Sequence, residues 1–226
     1  MKFIVLGLGH FGFALASRLT EMGHEVIGVD NRMARVEQLK EVITHTICMN
    51  TTDRDAVSSL PLRDSDAVIV AIGEDEAASL LTTALLKQFP VKRIIGRVVS
   101  DLQKTVLEAM KIDEFILPEE ESADRLAMRL DTVGVIDSYK ISEKYSIVEA
   151  LVPSKFIGKT LGEVDFNNRY KVIVLTTIKS YKRSDGAIVK NYKEASGIAT
   201  SGLVLQENDT MVLFGELMDI QKLLRG

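Results

Sequence analysis

The chain has 226 residues, 46% hydrophobic and 27% charged, with a formal net charge of −4. That length holds one large domain or two small ones with a proper core, and the acid excess argues against nucleic acid as a partner, since general binding to it needs a basic face. No apolar run approaches the ~20 residues that span a bilayer, a strand starts within the first few residues so no secretory leader is expected, and a single cysteine, Cys48, excludes an internal disulfide; a cytoplasmic protein is the expectation.

The first predicted element is the apolar strand Phe3-Ile4-Val5-Leu6, followed at once by Gly7-Leu8-Gly9-His10-Phe11-Gly12. An amphipathic helix over Phe11 to Met22 comes next, then a second strand, Val26-Ile27-Gly28-Val29, that ends on Asp30. Each glycine has a task in this pattern. Gly7 permits the tight turn, Gly9 lets the backbone approach a phosphate, and Gly12 lets the helix pack closely on the strand. The free N–H groups and the dipole at the helix start favour an anion. Asp30 lies 18 residues after Gly12, near the spacing of the acid that hydrogen-bonds a ribose hydroxyl. An acid there disfavours a 2′-phosphate, so NAD, ATP, ADP and AMP all stay open.

A second helix is expected over Asn31 to Glu41, and a short third strand over His45 to Met49. Cys48, inside that apolar run, reads as a buried structural thiol. Asn50-Thr51-Thr52-Asp53 follows at the carboxyl end of the strand, where open α/β sheets bind ligands. Thr51 or Thr52 is expected to cap the next helix, with Asp53 and Asp55 in its first turn. Ala67 to Ile72 is a continuous apolar run, as a buried parallel strand requires, and Gly73-Glu74-Asp75-Glu76 leads into a helix over Ala77 to Phe89, stopped by Pro90. A fifth strand over Arg93 to Val99, a helix capped by Ser100 and a sixth strand over Glu114 to Leu117 complete a doubly wound parallel Rossmann sheet.

Pro118 then opens a helix with Ala123, Leu126, Ala127, Leu130 and Val133 on one stripe. Since the sheet is already complete, that stripe is expected to pack across a subunit boundary; the other reading is a helix that folds back on its own domain. From Ser138 the pattern changes to strands over Tyr145 to Val152, Lys171 to Lys179 and Met211 to Gly215, with a hairpin turn at Ser184-Asp185-Gly186 and a closing helix over Leu217 to Leu224. The expected organisation is a nucleotide-binding domain (1–118), an interface helix and linker (119–138) and a smaller α+β domain (139–226). The histidines, His10, His24 and His45, have no metal-ligand spacing.

Several of these segments together resemble the RCK (regulator of potassium conductance) family, also called TrkA-N: Gly7 to Gly12, Gly23-His24-Glu25-Val26, Val29-Asp30, Ala71-Ile72-Gly73 and Pro118-Glu119. Tyr145-Ser146-Ile147-Val148-Glu149, Asn208-Asp209 and Val212-Leu213-Phe214-Gly215 resemble its C-terminal module, TrkA-C. Within the family the chain is most similar to the single-copy KtrA type. The resemblance implies a cytosolic gating subunit, peripheral on the inner face of the membrane, without catalytic turnover. Its implied partners are further copies of itself, as dimers in a ring of eight, and a membrane potassium-channel subunit of the KtrB or TrkH kind.

By the same resemblance Gly7, Gly9 and Gly12 approach the phosphates with His10 and Phe11 beside them, Asp30 takes the ribose, and Asn31 is a further cofactor-binding residue. Asn50, Thr51 and Asp53 line the adenine side, while Ala71, Ile72, Gly73 and Glu74 form the wall, with Arg97 at the end of the fifth strand. Glu119 matches an acidic position that in some members holds a divalent cation or sodium at the dimer interface; its other reading, compatible with the first, is an acid favoured by the dipole at a helix N-terminus. The implied cofactors are ATP and ADP, or NAD and NADH, with AMP also open. KtrA-type chains often carry Arg where this one has His10, and a neutral imidazole is a weaker partner for a terminal phosphate. Cyclic di-AMP, bound by the C-terminal module of some members, is a lesser expectation. Ile157, Asn168 and Arg169 lie in that region, but no His follows His45 and no Pro follows Pro153. Two other readings of the nucleotide cleft are an NAD-dependent oxidoreductase and a nucleotide-sensing regulator of another transporter or antiporter.

Overall fold

The structure is a computed structural model that describes residues 1–185 and 188–225. The chain divides into two compact units, Met1–Glu119 and Glu120–Gly226.

The first unit alternates strand and helix: β1 (Lys2–Leu6), α1 (His10–Glu21), β2 (Glu25–Asp30), α2 (Met33–Leu39), β3 (His45–Cys48), α3 (Arg54–Ser58), β4 (Ala67–Val70), α4 (Glu76–Leu86), β5 (Ile94–Arg97), α5 (Asp101–Ala109) and β6 (Glu114–Ile116). The six strands form one parallel sheet in the order β3-β2-β1-β4-β5-β6, which is the doubly wound Rossmann order. β4 and β1 from Phe3 to Leu6 are continuous apolar runs because helices cover both faces. Ile4, Leu6, Val29, Val68, Val70 and Leu86 pack on one side, and Val5, Leu8, Ala16, Val26, Ile43 and Ile69 on the other. Burying one such side chain contributes roughly 1.5–3 kcal/mol. The strand order reverses between β1 and β4, so a crevice opens at their carboxyl ends.

The helix α6 (Pro118–Asp131) follows β6, with proline at the first helical position, where its missing N–H costs nothing. It buries none of its own residues, and Leu126 and Leu130 are 49% and 79% exposed; Val133, expected on the same helical stripe, lies instead in the turn beyond Asp131 and is 91% exposed.

In the second unit, β7 (Val135–Lys140), β8 (Tyr145–Leu151), β9 (Val172–Asp185), β10 (Ile188–Ala195) and β11 (Thr210–Glu216) form an antiparallel sheet in the order β10-β9-β11-β8-β7. The short helices α7 (Leu161–Val164) and α8 (Phe166–Tyr170) and the closing helix α9 (Leu217–Arg225) complete it. Val148, Phe156, Phe166, Met211, Leu213 and Leu223 are at the centre of its core. β7 begins inside the stretch expected to be helix and linker, so this sheet starts before residue 139. β9 runs past the expected Lys179, because it pairs with β10 from Ile178 to Asp185. The expected turn at Ser184-Asp185-Gly186 includes residue 186, which lies outside the described residues.

Within the second unit α6 is held to β7 by Arg125, whose Nε donates to Asp137 Oδ1 at 3.0 Å and whose guanidinium covers the Tyr139 ring. The Arg125 guanidinium, with the N–H of Ser138 and the hydroxyl of Tyr139, holds the Asp137 carboxyl down to about 2, against an opposing push from burial. A carboxylate whose pKa falls on folding stabilises the fold above its unfolded pKa, and that contribution is lost as pH falls through the folded value. Thermal unfolding midpoints should therefore drop between about pH 4 and pH 2, and Asp137→Asn should lower the midpoint at neutral pH while flattening that part of the profile.

Candidate functional site

The crevice at the carboxyl ends of β1, β2, β4 and β5 encloses about 450 Å³, within the range of small-molecule sites. Its floor is the turn from β1 into α1. Gly7 has φ +96°, a left-handed conformation suited to glycine. A Cβ on Gly12 would sit 1.9 Å from the Gly7 carbonyl oxygen, so helix and turn touch only because no side chain intervenes. A Cβ on Gly9 would meet nothing within 4 Å, because Gly9 faces the open crevice. The turn is tied to both neighbouring strands: Gly7 N–H donates to Val29 O and Ala71 N–H to Leu6 O, each at 2.7 Å.

No side chain caps α1 and no acid occupies its first turn. By contrast α3, α4 and α5 are capped by Asp53, Asp75 and Ser100. The α1 N-terminus therefore faces the crevice with its dipole unopposed, as an anion site requires.

Asp30 ends β2 and is 4% exposed. Its Oδ2 accepts from the Leu8 N–H at 2.9 Å, and its Oδ1 from the Arg32 N–H and Arg32 Nε, each at 3.0 Å. Burial pushes this carboxyl up, but the Arg32 guanidinium and the N–H groups of Leu8 and Arg32 together bring it below the usual carboxylate range. It is an ionised acceptor at neutral pH. Arg32 Nη1 reaches on to Glu74 Oε2 at 3.0 Å, joining two sides of the crevice mouth.

On the far side, Arg97 ends β5. Its carbonyl is held by Nε2 of the buried Gln103 at 3.2 Å. Its guanidinium lies over the Phe11 ring, 5.6 Å from the centroid, and pairs with Glu119. A Cβ on Gly73 would come within 2.5 Å of Arg97 Nη1, so this glycine is what lets the arginine lie across the wall. Arg97 Nε is buried without a partner.

Of the residues expected from sequence, Gly7, Gly9, His10, Asp30, Asn31, Asn50, Thr51, Ala71, Ile72, Gly73, Glu74 and Arg97 line this one crevice. Phe11 stands behind it under Arg97, and Gly12 sits beneath the turn. Asp53 lies outside the crevice lining, and its carboxylate caps α3 by accepting from the Asp55 and Ala56 N–H groups. The caps expected from Thr51 or Thr52 are corrected by the same finding: Thr51 is buried and its hydroxyl pairs with that of Thr82 at 2.9 Å. Cys48 is half-buried rather than buried, with Sγ 3.6 Å from Asn31 O.

Glu119 is engaged by Arg97, and among the described residues no cluster of three His, Cys, Asp or Glu could hold a metal ion. In the second unit a shallow groove is lined by Asp165, Phe166, Asn167, Ile173 and Thr200, and by none of Ile157, Asn168 and Arg169. Asn168 instead donates to Asp165 at 2.9 Å.

Sequence reasoning missed Arg32, Asp75 and Ala78 in the crevice lining. Arg32 had a signal: two residues beyond a ribose acid is where this fold can present an arginine to a ribose substituent.

Comparison with known proteins agrees with this architecture. The family model described as the TrkA-N domain matches residues 3–118. Ktr system potassium uptake protein C of Bacillus subtilis (strain 168) is 33% identical over 221 residues, which are 98% of this chain and 95% of the relative. Ktr system potassium uptake protein A of the same organism is 30% identical over 98% of this chain and 94% of its own. The crystal structure of the GsuK RCK domain superimposes with a TM-score of 0.67 at 15% identity, covering 100% of this chain and 48% of that one, a likeness of fold.

The two motif glycines should respond differently to substitution. Gly12→Ala should destabilise the chain by about 3 kcal/mol or more, through overpacking against the Gly7 carbonyl. Gly9→Ala should leave the unfolding midpoint nearly unchanged, since its Cβ enters open space. Chemical denaturation of the two variants beside the parent chain reads the difference.

Proposed function

The chain belongs to the TrkA-N family, and from that premise we propose that it is a regulatory subunit of a Ktr-type potassium uptake system that senses an adenine nucleotide in the β1–α1 crevice. The observation that carries the reading is the juxtaposition of an uncapped helix N-terminus over Gly7 and Gly9 with the ionised Asp30 carboxylate at the end of β2. The first suits a phosphate and the second a ribose hydroxyl. The near full-length similarity to the two Ktr uptake proteins supports potassium transport as the process served.

ATP, ADP, AMP, NAD and NADH all present the required ribose and phosphate. His10 is exposed at the crevice, where it can meet the phosphates beyond the first. A hydride-transfer enzyme would also need a proton donor beside the nicotinamide, and the second unit contains neither His nor Cys. The role is binding and transmission, without turnover. The partners are a second copy, meeting the exposed Leu126 and Leu130 of α6 with Val133 in the turn beyond it, and a potassium-conducting membrane subunit. The chain's place is then on the cytoplasmic face of the membrane. An ion at Glu119 would have to take the carboxylate from Arg97.

Thermal unfolding with each of the five nucleotides tests the central claim. At least one should raise the midpoint in a concentration-dependent way, and Gly9→Val, which fills the phosphate approach, should abolish that shift. No shift with any nucleotide would sink the reading. For the second copy, light scattering at micromolar concentration should give at least a dimer, and Leu130→Arg should reduce the mass toward one chain; a parent chain that is strictly monomeric would remove α6 as an interface.

A further inference from the structure

The carboxylate that a ribose would need is already full. Asp30 Oδ1 accepts from the Arg32 N–H and Arg32 Nε at 3.0 Å; Oδ2 accepts from the Leu8 N–H at 2.9 Å and from Arg32 Nη2 at 3.3 Å. An ionised carboxylate offers about four lone-pair positions, and each has a donor. Two of those donors are backbone N–H groups that fix the β1–α1 and β2–α2 turns, so they stay in place whenever the fold is intact. The other two belong to the guanidinium of one side chain, which is 43% exposed.

We propose that Arg32 is a selectivity residue of the crevice: a built-in occupant of the ribose position that a ribonucleotide must displace before its hydroxyls can reach Asp30. The proposal rests on the nucleotide reading of the same crevice. The displaced guanidinium does not become an orphan, because Nη1 already holds Glu74 Oε2 at 3.0 Å and water can take the rest. Arg32 thus hinges on Glu74 between an inward position on Asp30 and an outward one. It lowers the affinity contributed by ribose hydroxyls, and so raises the concentration at which a ribonucleotide fills the crevice. A ligand without those hydroxyls leaves the Asp30–Arg32 pair intact and does not meet that opposition.

This predicts a specific non-additivity. Removing the Arg32 charge also makes the crevice more negative and weakens any phosphate ligand, but that effect is common to nucleotides with and without ribose hydroxyls. The ratio of their dissociation constants therefore isolates the contest for Asp30. In the parent chain the ratio of 2′,3′-dideoxy-ADP to ADP should be small, about threefold or less, because gaining the hydroxyl bonds means losing the guanidinium. With Asp30 vacated, the hydroxyls bond a free charged acceptor, which is worth about tenfold or more.

The experiment is calorimetric titration of the full chain, Arg32→Gln and Arg32→Ala with ADP and 2′,3′-dideoxy-ADP, each variant first checked for a cooperative thermal transition. A ratio that rises at least about threefold in either folded variant supports the proposal, as does ADP binding by a variant when the parent binds none. A ratio equal to the parent's, or smaller, overturns it while leaving the nucleotide reading standing. Absence of ADP binding to the parent and to both variants overturns the proposal, and absence of a thermal shift with all five nucleotides then removes the nucleotide reading as well.

Discussion

The ligand edge of the first unit depends on one close approach, that of Gly12 to the carbonyl of Gly7. β1 is central in the sheet, with β2 on one side and β4 on the other. Its connection to α1 must turn back within three residues without leaving a backbone group stranded. The missing Cβ at Gly12 allows α1 to start directly above the turn, and the bonds from Gly7 to Val29 and from Ala71 to Leu6 fasten the turn to both neighbours. Asp30 adds a third attachment by accepting from the Leu8 N–H. The same carboxylate therefore shapes the turn and presents a charge to the crevice, and neither task can be altered without the other.

Cationic charge in the crevice is arranged by the same economy. The two arginines that line it, Arg32 and Arg97, are each paired with carboxylates: Arg32 with Asp30 and Glu74, Arg97 with Glu119. Neither of these two is poised as an unpaired cation awaiting a phosphate. Fixed anion attraction comes instead from the α1 N-terminus, whose peptide dipoles need no counter-charge. Backbone groups supply a constant field, while the arginines are exchangeable, because a phosphate or ribose that engages one must first part it from a carboxylate.

Much of this was legible in the sequence because the parallel sheet imposes it. Strands covered on both faces must be continuous apolar runs, and Val5, Ile69 and Val70 mark theirs without ambiguity. The glycine spacing and the acid at residue 30 fixed the turn and the crevice together. Less legible were features that depend on contacts between distant residues. Thr51 looks like a helix cap until Thr82, from α4, engages its hydroxyl and leaves the cap to Asp53. In the second unit α7 and α8 are too short to show a periodic stripe. β7 has residues of intermediate burial and a register shift between Val135 and Asp137, so it lacks clean alternation. Arg32 was overlooked because helix and crevice compete for the same residue: it is the N-cap of α2 by position and a crevice residue by side chain.

Arg97 carries the consequence furthest. Its carbonyl is pinned by the buried Gln103, and its guanidinium is confined by Phe11 beneath and Gly73 alongside. The backbone end is thus rigid, and one partnerless nitrogen, Nε, lies inside. The outer end pairs with Glu119, the second residue of α6. A crevice ligand bearing an anion near Arg97 would compete with Glu119 for the same guanidinium, and the loser of that contest is the first turn of the helix that displays Leu126 and Leu130. An acid in a first turn is favoured there by the helix dipole whether or not it has a cation, by roughly 0.3–1 kcal/mol. Glu119 can therefore release Arg97 without unwinding α6.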